Sequence, residues 1–465
     1  LFFMLKIKIP NVCLKEQIYT LDVLFNEFLG LTFDVEIYEG EVIEIIKLDD
    51  KKENSKLTLN ASFFFKAHNY WLKTESMPVL PLLNWRPADD GISSNLISQT
   101  IPVLYGSPGV VKNGDHIHLN NDIFGSIFFM LSRYEEIIIK KRDNHDRFPA
   151  SASVAFKANF LDRPIVNEYI EILWSCLSSK WKDLNRKKLK GSNFITCDLD
   201  IPFDPSLNFF KYALKKSFSL FIEKKILKSF KVIFLYFLSK FGFKVRDHYS
   251  EMISWIMDSN ERFGNIVSFY FIAKQTSKLD GFDKFNSSKI RNLLNEIFTR
   301  GHKVGVHPGY DTFNNPDYFK KTVDEFKRIL NEEKIIQNEI EGRQHYLRWN
   351  NSKTPQLYEA NGLNYDTTLC YADKAGFRCG VCYEYSMYDL INRKKLKLKE
   401  RPLIVMESTI ISSKYESMGY SEKAFQRFLY FKKTCHQYNG TFNLLWHNNH
   451  FESKKDKEFY IQLIK

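Results

Sequence analysis

Six short apolar runs between residues 194 and 447 narrow the choice of fold more than any other feature. They are FITCD (194–198), IVSFYFIA (266–273), KVGVH (303–307), LNYDTTL (363–369), PLIVMEST (402–409) and FNLLWH (442–447). Each has the length of a buried strand and is too short for a core helix. Helical patterns lie between many of them. The clearest is NPDYFKKTVDEFKRIL, where Asn315 suits the cap and Pro316 the first turn. In that stretch Phe319, Val323, Phe326 and Leu330 fall on one face. Alternation of strand and helix over about 270 residues predicts a parallel α/β domain, open or closed into a barrel.

The chain has 465 residues, more than one typical core accommodates, so two domains are expected. The polar, basic stretch WKDLNRKKLKGSN (181–193) is the natural boundary. Upstream of it, DVEIYEGEVIEI (34–45) and HIHLN (116–120) alternate like strands. NDIFGSIFFMLSRYEEII (121–138) predicts a buried helix capped by Asp122. DRPIVNEYIEILWSCL (162–177) predicts a second, capped by Asp162 with Pro164 in its first turn. The expectation is a smaller α/β domain over 1–185 and a larger one over 190–465.

Hydrophobic residues at 44% and charged residues at 26% are ordinary for a soluble globular protein. The net charge of +12 is concentrated rather than spread. Nine lysines and Arg246 lie between Lys211 and Arg246, opposed by Glu223 alone. That distribution does not support a nucleic-acid footprint across the chain. The same stretch, 208–247, mixes Lys with Phe, Leu and Ile at helical spacing. Two readings stay open: an interfacial amphipathic helix making peripheral membrane contact, or a helical cover over the barrel mouth with a solvated Lys face. Seven scattered cysteines give no disulfide framework, and Cys379 and Cys382 are expected to be structural. The opening LFFMLKIKIPNVC is too short for a signal core and has no small-residue cleavage site, so a cytoplasmic location is expected.

The ends of the apolar runs carry the chemistry-bearing side chains. Asp198, His307 and His447 each stand at or near the C-terminal end of one, which is the functional end of an α/β barrel. In CDLD, Asp198 and Asp200 are one residue apart, so on a strand both point the same way. Like charges side by side repel unless something positive stands between them. A solvated surface, a cationic partner chain or a metal ion each meets that need.

Four motifs stand in order: TCDLDIP (196–202), GHKVGVHPGYD (301–311), GRQHYLRW (342–349) and LLWHNNHF (444–451). Their order and content resemble the polysaccharide deacetylases of the NodB-homology type, carbohydrate esterase family four, over roughly residues 190 to 455. DRFPASASVAFKANFLDRPIVNEYIEILW, YDTTLCYADKAGFRCG and ERPLIVME resemble a divergent branch with an extra N-terminal domain. The resemblance implies a distorted (β/α) barrel of about seven strands with a smaller N-terminal α/β domain. It makes Asp198 the general base and Asp200 a metal ligand. His307 matches the first histidine of the family's metal pair. Asp311 stands where the second would be, and His345 is the alternative third ligand. Arg343 would orient the base, and His447 would protonate the leaving amine. Tyr346 matches the third motif and is a candidate for binding the sugar substrate, and Asp366, Asp373 and Arg378 are candidates for contacting sugar hydroxyls or fixing Arg343.

The implied cofactor is a divalent metal, zinc first, with cobalt, nickel or manganese as alternatives. The implied activity is removal of an acetyl group, N-acetyl before O-acetyl, from a glycan or lipid-linked sugar at the inner face of the membrane. Two rivals remain open. One is a deacetylase-fold protein without metal that binds polysaccharide or acts as a scaffold. The other hydrolyses a different amide, such as a cyclic imide or ureide.

Overall fold

The computed structural model describes residues 4–48, 55–451 and 453–465; the first three residues of the opening segment lie outside the described residues. The chain is mixed α/β and folds as two compact units. The first comprises Leu1–Ser192, Tyr346–Gly419 and Gln426–Asn443. The second comprises Asn193–His345, Tyr420–Phe425 and Leu444–Lys465. Among the described residues no helix is long and apolar enough to cross a membrane.

The first unit holds a six-stranded sheet. Its strands are β1 (Leu5–Pro10), β2 (Phe33–Tyr38), β3 (Val42–Lys47), β4 (Lys56–Asn60), β7 (Gly106–Asn113) and β8 (His116–Asn121), in the order β2-β1-β3-β4-β8-β7. A small pair, β5 (Leu83–Trp85) and β6 (Ile101–Val103), stands apart from it in the strand pairing. Strand β1 is parallel to β2 and antiparallel to β3, so the runs on either side of Gly40 flank β1 and do not form a hairpin. The buried helix Ile123–Leu131 is capped as expected: the Asp122 side chain accepts from the Gly125 N–H. Aromatic rings fill the core around it, with Phe63 5.2 Å from Tyr134 and 5.5 Å from Phe128. The helix Ile165–Lys180 differs from expectation. Pro164 is its cap residue and no side chain caps it; Asp162 accepts from the Arg427 guanidinium instead.

Residues 346–419 and 426–443 fold with the first unit, although the sequence reading placed them in one domain running from 190 to 465. Long-range pairs draw them there. Glu16 accepts from Arg393 and from the Tyr388 hydroxyl, and Tyr19 donates to the Ser386 carbonyl. A linker signal is local and carries no information about such pairs. Two expected strands also shrink. LNYDTTL keeps only β13 (Tyr365–Asp366), and PLIVMEST keeps only β16 (Val405–Met406) before the helix Glu407–Ile411 begins. Beside β13 runs β15 (Lys394–Glu400), parallel to it and antiparallel to β14 (Tyr385–Asp389).

The second unit is built on four parallel strands: β9 (Ser192–Leu199), β10 (Val267–Phe271), β11 (Lys303–Val306) and β12 (Glu341–Gly342). The last residues of β17 (Thr441–Leu445), Leu444 and Leu445, belong to this unit, and after them the Trp446 N–H donates to the Thr196 carbonyl. Strand β10 is buried throughout, as a strand inside a parallel sheet must be. The amphipathic helix Pro316–Glu332 is capped by Asn315 and buries Phe319, Val323, Phe326 and Leu330. Between β9 and β10 stand the helices Pro205–Asn208, Phe210–Ile222, Ile226–Lys240 and His248–Glu261.

Candidate metal centre

Parallel pairing sets the C-terminal ends of β9, β11 and β12 at one edge of the second unit. Asp198 and Asp200 sit at the end of β9, His307 just beyond β11, and Arg343 and His345 just beyond β12. Backbone bonds continue past the strands: His307 N–H donates to Phe271, Arg343 N–H to Val306 and His345 N–H to Pro308. They bring the two imidazoles side by side, with ring centroids 5.0 Å apart.

The carboxylate of Asp200 lies between them. Its Oδ1 is 3.2 Å from His307 Nε2 and its Oδ2 is 3.5 Å from His345 Nε2. Both histidines are pinned through the opposite nitrogen. His307 Nδ1 donates to the Arg343 carbonyl at 2.5 Å, and His345 Nδ1 donates to Asp280 Oδ1 at 2.6 Å. With those protons committed, each neutral ring turns an Nε2 lone pair toward the lone pairs of Asp200. Asp200 Oδ1 is buried without a hydrogen-bond partner. Acceptors facing acceptors in a buried site call for a cation or an added proton. The ligand atoms of Asp200, His307 and His345 all lie within 4.8 Å of one another, and among the described residues Asp311 does not join that group.

Beside Asp200 and His307, the third residue of the group that could hold a metal ion is His345, and Asp311 is not in that group. The chain turns after Pro308, where the Tyr310 N–H donates to Asp280 and the Asp311 N–H donates to Thr276 Oγ1. Those bonds fix the loop to the segment 276–280, while the backbone bond to Pro308 brings residue 345 into the site.

Asp198 is 3% exposed and differs from Asp200 in its partners. Arg343 donates to its Oδ1 at 2.8 Å, and from the same nitrogen to Thr196 at 2.9 Å. Its Oδ2 is turned to the site, 3.7 Å from His307 Nε2. The guanidinium is backed by the Tyr270 ring at 4.7 Å, and Tyr270 is held by a bond to Glu341. His447 closes another side, its Nε2 3.7 Å from Asp200 Oδ2. Its neighbour Asn448 ties the turn to the carbonyls of Ile201 and Tyr249. Trp446 packs on Phe451 and Tyr460 and is core. The side chain of Asp200 keeps 27% of its exposure and that of His447 14%, so solvent reaches the cluster from that side.

Charge follows from these contacts. Burial opposes ionisation of Asp200, but His345 and His307 outweigh it and hold the carboxyl well below its ordinary range. Burial also opposes a charge on His345, yet Asp200 and Asp280 on its two nitrogens lift the imidazole to about 9. A cation held at these nitrogens would compete with that added proton.

Asp280 escaped the sequence reading. It accepts from His345, from the N–H groups of Thr276, Ser277 and Tyr310, and from the Thr276 hydroxyl. In KLDGFD it shows only an Asp-Gly turn signal. Gly281 is required where it stands. Its φ is +47°, and a Cβ there would come within 2.2 Å of the Asp200 carbonyl oxygen.

The proposed sugar contacts belong to the first unit, and the structure gives Asp366, Arg378 and Tyr346 internal partners. Asp366 is buried and accepts from the Thr368 N–H and hydroxyl. Arg378 is 2% exposed, with Glu136 and the Cys370 carbonyl along its guanidinium. The Tyr346 ring packs on His145, and its carbonyl accepts from Arg147. For Asp366 and Arg378 these are supporting roles, because neither presents a polar atom to solvent. Cys379 and Cys382 are buried free thiols.

Residues 5–182 match the model of a family of unknown function, DUF7033. No curated protein matches the chain. Among solved structures, one described as "putative polysaccharide deacetylase from Mycobacterium smegmatis" is similar at 12% identity, with a TM-score of 0.39, covering 60% of this chain and 84% of that one.

Proposed function

We propose that the protein is a metal-dependent hydrolase that removes an acetyl group from a sugar, N-acetyl in preference to O-acetyl, on a glycan or lipid-linked saccharide. The observation that carries this reading is the Asp200 carboxylate set between two Nε2 atoms whose rings are pinned through Nδ1. That is the arrangement in which histidines bind metals, with a carbonyl or carboxylate behind each ring. Asp200, His307 and His345 would hold the ion, one oxygen and two nitrogen ligands that suit zinc first and also cobalt, nickel or manganese. A divalent cation there supplies Lewis-acid polarisation of a carbonyl group.

The remaining chemistry belongs to the chain. Asp198 is beside the ligands and outside their set, so it can accept a proton from attacking water. Arg343 fixes one of its oxygens and leaves the other facing the site. His447, solvent-accessible and across from Asp200, can deliver a proton to the leaving amine. The order of the four motifs supports the acetylated sugar as substrate class. In the same reading the parallel strands of the second unit form part of a distorted (β/α) barrel.

Bound-metal analysis with assays of acetate release from N- and O-acetylated glycans tests the proposal. Asp198→Asn should keep one equivalent of metal and lose hydrolysis, because an amide cannot take the proton. Asp200→Asn should lose both. Hydrolysis by Asp198→Asn at the unmodified rate would remove the assigned base. A protein that binds no divalent metal would be left with the binding or scaffold function.

A further inference from the structure

We infer that the helical hairpin formed by Phe210–Ile222 and Ile226–Lys240 docks on the surface of an anionic phospholipid bilayer. The inference is independent of the hydrolytic reading.

The two helices carry a strongly exposed apolar face each. Between them Ala213 and Ser229 are buried, the Ser217 and Ser229 hydroxyls bond at 2.8 Å, and Leu220, Val232, Ile233 and Tyr236 are half-buried. Their outer sides are apolar. Phe210, Leu214, Phe218, Phe221 and Ile222 follow one face of the first helix and are all exposed. Ile226, Leu227, Phe230, Phe234, Phe237 and Phe241 follow one face of the second and its end, with Leu227 87% and Phe230 68% exposed. Phe210 meets Phe237 at 6.2 Å, so the two stripes join into one surface. A soluble chain rarely leaves a contiguous patch of this kind uncovered. Further along, Phe243 is 64% exposed and extends it.

Charge selects the occupant. Lys211 and Lys215 sit one residue on from Phe210 and Leu214, and Lys228 and Lys231 one on from Leu227 and Phe230. At 100° per residue Lys215 and Lys231 border the apolar stripes, Lys211 falls within the first, and Lys228 lies a further step beyond Leu227. Lys224 and Lys225 stand at the turn, where Lys224 has φ +58°. Glu223 is the sole acid between Lys211 and Arg246, and Lys225 pairs with it at 2.7 Å. A second copy of the same face would bring these lysines against each other, which like charges disfavour. An anionic bilayer accepts both parts, apolar rings at the acyl boundary and lysines at the phosphates. Neither helix is long enough to span, so the hairpin lies in the interface plane.

The base of the hairpin is anchored to the rest of the second unit. Lys216 bonds to Asp204, and Tyr212 packs on Phe282 at 4.6 Å, on the loop that carries Asp280.

The test is sedimentation of the full chain with vesicles of phosphatidylcholine, with or without phosphatidylglycerol. We expect binding to the phosphatidylglycerol vesicles that weakens as salt rises, and little to phosphatidylcholine alone. Lys224→Gln, Lys225→Gln, Lys228→Gln and Lys231→Gln together should weaken binding roughly tenfold or more. Phe218→Glu with Phe230→Glu should abolish it while circular dichroism stays unchanged. Absence of binding to phosphatidylglycerol vesicles would overturn the inference, as would equal binding by both variants. So would a stable dimer that Phe230→Glu disperses, since that would assign the face to a second copy.

Discussion

The two units each bury a charged cluster, and the clusters differ in whether their valences close. In the first unit Arg133, Glu135, Glu136 and Arg378 alternate in sign. Arg133 reaches Glu135 at 2.8 Å and Glu136 at 2.9 Å, and Arg378 grips both oxygens of Glu136. Glu135 also accepts from the Val154 N–H. In the second unit, Asp200 leaves an oxygen without a hydrogen-bond donor and faces two imidazole nitrogens. Balanced charges with every partner in place stabilise a shape. Acceptors turned on one another leave room for a cation or an added proton. The distinction between a strut and a site is visible here in hydrogen-bond geometry before any ligand is considered.

The largest effect expected from this comparison is in the strut. Burial works against ionisation of Glu136, but Arg378 and Arg133 hold it at about 2. Glu136→Gln leaves two buried guanidinium groups short of one countercharge and should destabilise the protein by about 3–5 kcal/mol. Denaturant unfolding reads that loss, and metal content in the native state should not change. An unmoved unfolding midpoint would mean that the closed cluster bears no structural load.

Next comes the support of the site. Asp280→Asn keeps the shape behind His345 and removes the charge. It should weaken metal binding about 10–100-fold, as changes behind a ligating histidine do. Competition with a chromophoric chelator measures it. Unchanged affinity would mean that the 2.6 Å bond from His345 does not orient a ligand.

Sequence reasoning reached some of these residues and not others, for reasons that can be stated. Asp198, Asp200, His307 and His447 were legible because each ends or follows an apolar run, a local pattern, and Arg343 through the resemblance of its motif. His345 was only an alternative to Asp311, because the choice depends on which loop turns inward. Asp280 was invisible: its role depends on a contact with a residue 65 positions away. The assignment of 346–419 to the first unit was also hidden, since pairs such as Glu16 with Arg393 leave no trace in local patterning. Asp366 and Arg378 were read as sugar contacts because a polar residue in a motif looks the same whether it faces a ligand or a buried partner.

A third test contrasts two carboxylates that cap or brace. Burial raises Asp122 to about 7 against the pull of the Phe63 and Gly125 N–H groups, whereas Asp280 is held at about 2, its burial outweighed by His345. The unfolded Asp122 carboxyl gives up its proton near the model-peptide value of about 3.9, while the folded one keeps it to about 7. Stability contributed by Asp122 is therefore complete below about pH 4 and is lost as pH rises toward 7. Subtracting the stability of Asp122→Asn from that of the native chain should give a difference that falls by about 1.4 kcal/mol per pH unit over that window. A flat difference would show that the cap is ionised in the folded state.

The smallest effect separates two helix starts that look alike in sequence. NPD at 315–317 and DRP at 162–164 both place an Asn or Asp near a proline. In the second unit Asn315 caps, accepting from the Tyr318 N–H, while in the first unit Asp162 pairs with Arg427 and caps nothing. Asn315→Ala should cost about 1 kcal/mol, because a helix N–H loses its acceptor. That loss is between neutral groups and should hardly change with salt. Asp162 has a side chain 45% exposed, so Asp162→Ala removes an ion pair that water and salt already weaken. Its cost should be under about 1 kcal/mol and should shrink as salt is added. Thermal unfolding of both variants at low and high salt distinguishes the two. Equal, salt-independent losses would mean that Asp162 caps its helix in solution, and the contrast between the two helix starts would fail.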